Sequence, residues 1–153
     1  MVEFKKIVLT TDLSSESWKA LDIAATLAKK CESSLTVLSV VQDPAYFTMS
    51  ELYGAGNAFA DVDRIHAEAV RKAKEIVAEH LKDSGVQAEV IVASGINVPK
   101  VVVEETEKLG ADLLVLTTHG RSGLSHMLMG STAERVVRTS TVPVLVVRSQ
   151  NED

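Results

Sequence analysis

The sequence has a single cysteine, few aromatic residues and no long apolar run. Cys31 therefore has no partner for a disulfide within the chain, which fits a reducing compartment. Aromatic residues make up only 4% of the chain, so we expect an aliphatic core. No stretch approaches the roughly 18 to 20 apolar residues that cross a bilayer, and the apolar run after Lys6 is too short for a signal peptide. These features predict a cytoplasmic protein.

Positive charge is also scarce. Lysine and arginine total 16 against 21 aspartate and glutamate residues, which gives a formal net charge of -5. Such a surface repels the phosphate backbone of nucleic acids, so nonspecific DNA or RNA binding is disfavoured. With 46% hydrophobic and 24% charged residues, the composition is that of a globular protein. The length predicts one domain over residues 1–153.

Apolar runs and helical patterns alternate along the chain. The predicted strands are Lys5–Thr11, Leu35–Val41, Val86–Ala93, Asp112–Thr118 and Val142–Arg148. The predicted helices begin after Asp12–Glu16, at Val62, near Pro99 and at Ser131. The order β-α-β-α-β-α-β-α-β predicts an α/β fold with a single doubly wound, five-stranded parallel sheet and helices on both faces. In such a sheet the ligand lies beyond the carboxyl ends of the strands, where the strand order reverses.

The segment Ala45–Asp61 is the least regular part of the chain. It carries four of the six aromatic residues. It is either a loop pinned to the body by its aromatic side chains or a mobile flap over a ligand.

Glycines are concentrated between the fourth strand and the last helix, at Gly120, Gly123 and Gly130. Glycine lets backbone N–H groups approach a phosphate closely, and the following helix N-terminus carries a partial positive charge. The hydroxyl groups of Ser131 and Thr132 would add donors. Alternatively, these glycines only shape turns and Ser131 is a helix cap.

Ser131 and Glu134 also have the spacing of a capping box, which predicts reciprocal side-chain bonds at the start of the last helix.

Two common phosphate-binding patterns, G-x-x-x-x-G-K-[ST] and G-x-G-x-x-G, are absent from the sequence, which disfavours a P-loop NTPase and a dinucleotide dehydrogenase. His119 and His126 have no third ligand near them in sequence, so we predict no dedicated metal site.

Several segments together resemble the universal stress protein family. They are Lys6–Asp12, Gly110–Val115, Thr118–Gly123, Gly130–Val136 and Val142–Val147, so that the resemblance covers essentially the whole chain. It implies a fold similar to that of the adenine nucleotide alpha hydrolases, with strand order 3-2-1-4-5. It also implies a protein of stress response or signalling.

The ATP-binding branch of that family is identified by the pattern G-x2-G-x9-G-[ST]. Gly120, Gly130 and Ser131 match its last three defined positions, whereas Thr117 stands where the first glycine is usual. The resemblance implies ATP as the ligand, with Mg²⁺ carried by its phosphates. The implied site is formed by Thr10, Thr11, Asp12, Val40, Leu116, Thr117, His119, Gly120, Arg121, Gly130, Ser131 and Thr132.

Different parts of that implied site would contact different parts of the nucleotide. Asp12 would lie near the adenine and ribose, or would instead cap the first helix. Val40 would contact the base. Leu116 and Thr117 would flank the sugar and phosphates. The phosphates themselves would be held by Gly120, Arg121, Gly130, Ser131 and Thr132.

The last predicted strand, with the apolar run Val142–Val147, would leave unpaired backbone groups if it lies at the sheet edge. Pairing with a second copy would satisfy those backbone groups, and the resemblance implies a homodimer through this strand.

The sequence thus leaves three candidate functions. The first is a dimeric, ATP-binding stress protein whose state depends on the nucleotide. The second is a dimeric interaction protein without nucleotide, motivated by Thr117. The third is a slow ATPase, for which the sequence offers no evident base.

Overall fold

The computed structural model describes residues 1–42, 58–119 and 129–148, with side chains from residue 63 onward in the second range. The strands are β1 Lys6–Thr10, β2 Ser34–Gln42, β3 Ala88–Gly95, β4 Leu113–Thr117 and β5 Val144–Val147. The α-helices are α1 Trp18–Cys31, α2 Ala58–Leu81, α3 Val98–Lys108 and α4 Ser131–Thr139, with a short 3₁₀ turn at Ser15–Ser17 before α1.

All described strand pairs are parallel, and the strand order is β3-β2-β1-β4-β5. The α/β class and the order 3-2-1-4-5 expected from the sequence are thus confirmed. The order reverses between β1 and β4, because the chain continues from β1 to one side of the sheet and returns through β4 to the other.

Two aliphatic clusters cover the two faces of the sheet. On one face, Ile7 and Leu9 pack with alanines of α1 such as Ala24, and with Val77 of α2. On the other face, Val8 and Leu114 pack with side chains of α3 and α4, including Val136. The run Ile7–Leu9 lacks alternation because helices cover both faces, and each of its three residues is at most 1% exposed.

Helices α1 and α2 are also joined by a stacked pair of rings. The rings of Trp18 and His80 lie 4.7 Å apart between centroids, at an interplanar angle of 18°. The Nε2 atom of His80 is 2.9 Å from Oδ1 of Asp22, one turn further along α1. Trp18 thereby joins the edge of the α1 and α2 cluster.

The predicted starts of α2 and β5 differ from the structure. Helix α2 begins at Ala58 and not at Val62, so the end of the segment Ala45–Asp61 is helical. Both interpretations of the rest of that segment, a pinned loop or a flap, fall on 45–57, outside the described residues. Strand β5 begins at Val144, two residues later than predicted, because Pro143 has no N–H to give to the ladder.

None of the helices in the described ranges is long and apolar enough to cross a membrane.

Helix α1 ends on a residue in the left-handed region. Glu32 has φ 53° and ψ 44°, and the N–H of the following Ser33 donates to the carbonyl of Ala28 at 2.8 Å. A glycine is usual at this position because a side chain is strained there. Glu32 therefore stores backbone strain at the α1–β2 turn.

We expect Glu32→Gly to raise the free energy of unfolding by about 0.5 to 1 kcal/mol, since the strain is removed. Urea denaturation followed by circular dichroism measures the change. The control is Lys30→Gly in the same helix end, where the backbone is helical and the substitution should destabilise by about 1 kcal/mol. Equal destabilisation by the two substitutions would contradict the strain at Glu32.

Candidate functional site

The two central strands, β1 and β4, diverge at their carboxyl ends. Pairing between β1 and β4 runs from Ile7 opposite Leu113 to Leu9 opposite Val115. Beyond that point, β1 continues along β2, and the Thr11 N–H donates to the Leu38 carbonyl at 3.0 Å. Strand β4 likewise continues along β5. Each strand follows its outer neighbour, so a crevice opens between them at the point where the strand order reverses.

A chain of hydroxyl groups organises the β1 side of the crevice. The Thr11 hydroxyl accepts from the Leu13 N–H at 2.9 Å and donates to Ser17 Oγ at 2.7 Å. Ser17 Oγ in turn donates to the Ser14 carbonyl at 2.6 Å. Thr11 and Ser17 are 9% and 1% exposed. The Thr11 side chain is therefore an internal brace of the loop after β1.

Asp12 lies on that braced loop, partly exposed, with Leu13 behind it in the left-handed region at φ 61°. Its Oδ1 accepts from both the N–H and the hydroxyl of Ser14, at 3.0 and 2.6 Å. The N-cap residues are Ser14 for the 3₁₀ turn and Ser17 for α1. The alternative that Asp12 is the N-cap of the first helix is therefore wrong, because the 3₁₀ turn separates it from α1.

Glu16 is the nearby acidic group with a shifted pKa. A hydrogen bond from its own backbone N–H, and next the Ser14 hydroxyl, hold the pKa of Glu16 below its ordinary value, while the charge of Asp12 acts in the opposite direction. The Glu16 side chain is exposed, so this shift adds little to stability.

Three polar residues end β4 on the opposite side of the crevice. The Thr117 hydroxyl donates to the His119 carbonyl at 3.0 Å. The Thr118 N–H donates to the Val147 carbonyl at 2.9 Å, which continues the ladder with β5. The His119 ring nitrogen Nδ1 lies 3.1 Å from Thr118 Oγ1. Thr117, where the family pattern has a glycine, thus uses its hydroxyl to shape the turn after β4.

Gly130 brings the start of α4 against this strand end. Its N–H donates to the Thr118 carbonyl at 2.7 Å. A Cβ on Gly130 would lie 3.1 Å from that carbonyl oxygen and 3.9 Å from His119 Cα. The backbone of Gly130 is extended, at φ -71° and ψ 156°. Glycine is thus favoured here by close approach and not by a left-handed conformation, since a Cβ would push against the Thr118 carbonyl.

The predicted capping box at Ser131 and Glu134 is wrong. The N-cap is Gly130, and Ser131 is the first helical residue. The box requires its serine in the extended cap conformation, but the contact with Thr118 gives that conformation to the glycine. The Glu134 carboxylate instead accepts from Arg138 at 2.6 Å on the exposed side of α4.

Most of the residues implied by the family resemblance lie at this one edge of the sheet. They are Thr10, Thr11 and Asp12 after β1, Leu116, Thr117 and His119 at β4, and Gly130, Ser131 and Thr132 at α4. Leu116 is only 3% exposed and packs in the core, and Val40 of β2 packs against the same cluster. Gly120 and Arg121 lie outside the described residues.

Ser14 and Ser17 are residues of the loop after β1 that the sequence motifs do not assign to the site. Both belong to the run Thr10–Ser17, in which five of eight residues carry a hydroxyl group. That density after a buried strand was the available signal, since serine and threonine side chains bond to nearby backbone groups in turns. Which hydroxyl bonds to which group depends on the left-handed Leu13, which the sequence does not indicate.

Comparison with known proteins identifies the family. The model of the universal stress protein family matches residues 3–148. The universal stress protein YxiE of Bacillus subtilis is 36% identical over 149 residues, which cover 95% of this chain and 99% of that protein. The chain therefore belongs to the universal stress protein family, as its sequence motifs predicted.

Solved structures share the fold over nearly the whole chain. The structure of hypothetical protein MJ0577, used in a structure-based assignment of biochemical function, has a TM-score of 0.80 at 26% identity and covers 99% of this chain and 100% of its own. A universal stress protein in complex with cAMP has a TM-score of 0.67 at 23% identity, with 97% and 100% covered. One from Archaeoglobus fulgidus in complex with dAMP has 0.60 at 16%, with 95% and 98% covered.

We expect Thr11→Val to lower the free energy of unfolding by about 2 kcal/mol, because it leaves the Leu13 N–H and Ser17 Oγ without their partner. Valine keeps the shape of threonine, so packing is preserved. Thr26→Val is the matched control, since the exposed Thr26 hydroxyl only donates to the Asp22 carbonyl within α1. Thermal and urea denaturation compare the two, and equal stabilities would refute the bracing role of Thr11.

Proposed function

We propose that this protein binds an adenine nucleotide, ATP with Mg²⁺ on its phosphates, in the crevice between β1 and β4. The divergence of these two strands carries the proposal, because it leaves a crevice at the reversal point, with Asp12 on one side and the start of α4 on the other. The solved relatives in complex with cAMP and dAMP support an adenine nucleotide as the class of ligand.

The start of α4 is suited to phosphate. Glu134 is the residue whose N–H donates to the Gly130 carbonyl, so the N–H groups of Ser131, Thr132 and Ala133 have no partner within the helix. Gly130, as N-cap, has no side chain with which to satisfy them. Together with the helix dipole, these groups favour an anion. The exposed hydroxyl groups of Ser131 and Thr132 add donors beside them.

The β1 side is suited to the nucleoside. The Asp12 carboxylate is partly exposed at the strand end and can accept hydrogen bonds from ribose hydroxyl or adenine amino groups. Mg²⁺ needs only a few protein ligands when phosphates and water complete its shell, so the nucleotide would bring it into the site. The family resemblance implies that Gly120 and Arg121 also belong to the phosphate side, and these residues lie outside the described part of the chain.

In this proposal the bound nucleotide sets the state of a stress-response protein, and the protein binds ATP without a requirement for turnover. The cytoplasm remains the proposed compartment, in keeping with the single cysteine.

We expect Mg-ATP to bind more tightly than AMP, because in this proposal only a triphosphate is long enough to reach the start of α4. The double substitution Ser131→Ala with Thr132→Ala should weaken Mg-ATP binding by roughly tenfold, the magnitude expected for the loss of hydrogen bonds to a charged group. Its effect on AMP should be small. Isothermal titration calorimetry measures both ligands on both proteins.

Thr139→Ala is the control, since Thr139 is an exposed hydroxyl residue at the far end of the same helix. It should bind Mg-ATP like the wild type. Absence of any heat with Mg-ATP on the wild type would reject nucleotide binding and favour the interaction protein suggested by Thr117. Equal loss of AMP and ATP affinity in the double variant would reject the placement of the phosphates at α4.

We also propose a homodimer through β5, the last strand of the described sheet and part of the predicted run Val142–Val147. The carbonyl groups of Pro143 and Val147 accept from β4. In a parallel ladder the intervening residues alternate, so the N–H groups of Val144 and Val146 point away from β4. Two of the four consecutive apolar residues of β5 thus turn their backbone groups to the edge of the described sheet, where a second copy can pair with them.

Val146→Pro should convert the dimer to a monomer, because it removes an outward N–H while leaving the ladder with β4 intact. Val146→Thr keeps both the N–H and the branched shape, and should remain dimeric. Sedimentation equilibrium measures the mass of each protein, with circular dichroism to verify the fold. A dimeric Val146→Pro protein, or a monomeric wild type, would contradict pairing through β5.

A further inference from the structure

We infer that Ser14 is a positioning residue for the nucleotide site, which orients the Asp12 carboxylate and is itself held in place by Ser17 and Thr11. This inference rests on the proposed binding of ATP beside Asp12. It assigns a role to hydroxyl groups that do not themselves contact the ligand.

The contact between Ser14 and Asp12 is a double one. The N–H of Ser14 donates to Asp12 Oδ1 at 3.0 Å, and its hydroxyl donates to the same oxygen at 2.6 Å. Hydrogen bonds to a carboxylate are among the stronger ones in proteins. Rotation of the carboxylate out of its present plane would break both bonds at once. Ser14 thus fixes the direction in which Asp12 accepts further hydrogen bonds.

Ser14 is in turn fixed by groups that are buried. Ser17 Oγ donates to the Ser14 carbonyl at 2.6 Å, and Thr11 Oγ1 donates to Ser17 Oγ at 2.7 Å. Ser17 is 1% exposed and Thr11 is 9% exposed, so water competes little for these bonds. The 3₁₀ turn adds a backbone bond, from the Ser17 N–H to the Ser14 carbonyl at 3.0 Å. The chain of bonds therefore runs from the core to the carboxylate.

Preorganisation of this kind raises affinity because the side chain loses little freedom when the ligand binds. Loss of the Ser14 hydroxyl removes the shorter of the two bonds to Asp12 Oδ1 and leaves the N–H bond, so the carboxylate would be held less firmly and the nucleotide would have to order it on binding. The loss should appear as weaker binding and not as a change in fold, since Ser14 lies at a partly exposed turn.

The test measures Mg-ATP affinity by calorimetry for the wild type, Ser14→Ala, Asp12→Ala and the double variant. Ser14→Ala should weaken binding by about fivefold in the wild-type background, the range expected for loss of one ordered side chain. In the Asp12→Ala background the same substitution should change affinity less than twofold, because Ser14 acts through Asp12. Ser14→Thr keeps the hydroxyl and should restore the wild-type affinity.

Ser15→Ala is the matched control, since the neighbouring Ser15 hydroxyl is exposed and lies 3.4 Å from Glu16 Oε2. It should bind like the wild type. In the nucleotide-free protein, the ¹³C resonance of the Asp12 carboxyl should shift in Ser14→Ala and stay in place in Ser15→Ala. This second measurement reports the contact without any ligand.

The outcomes separate the inference from the proposed function. A wild type that fails to bind Mg-ATP overturns nucleotide binding, and with it any role of Ser14 in that binding. If the wild type binds, three results overturn the role of Ser14 alone. These are wild-type affinity in Ser14→Ala, an equal loss in the presence and absence of Asp12, and an unmoved Asp12 resonance.

Discussion

The hydrogen bond from the Gly130 N–H to the Thr118 carbonyl is the contact on which the carboxyl edge of the sheet depends. Thr118 also donates its own N–H to Val147, so one residue joins β4, β5 and the start of α4. The close approach leaves 3.1 Å for a Cβ on Gly130, and glycine provides the room. Thr118 thereby connects the proposed phosphate site, at the start of α4, with β5, the strand proposed for dimer formation.

The two sides of the crevice are built by different means. On the β4 side a glycine lets two backbone segments touch. On the β1 side buried hydroxyl groups hold a turn that includes the left-handed Leu13, a conformation costly for a side chain of that size. The Thr11 hydroxyl satisfies the N–H of that strained residue. Both arrangements hold the backbone in place, which suits a site that must present donors and acceptors to its ligand at fixed positions.

Much of the fold could be predicted because its signals are local. The apolar run Ile7–Leu9 lies in the predicted strand Lys5–Thr11 and is buried in β1, and α4 begins at Ser131 as predicted. The start of α2 and the cap of α4 could not be predicted in the same way. Gly130 is the cap because of a contact with Thr118, twelve residues away in the chain, which no local pattern encodes. For the candidate site, most residues that the family resemblance implies lie at one edge of the sheet. That resemblance did not reveal that Thr11 braces the loop or that Ser14 contacts Asp12.

The stacked pair of Trp18 and His80 has a practical consequence. Trp18 is the only tryptophan in the sequence, and it directly follows Ser17, the buried member of the hydroxyl chain. Light emission from the indole of the native protein therefore originates beside the loop that carries Asp12. The chain contains its own optical reporter of how α1, α2 and this loop pack together, and no label needs to be attached.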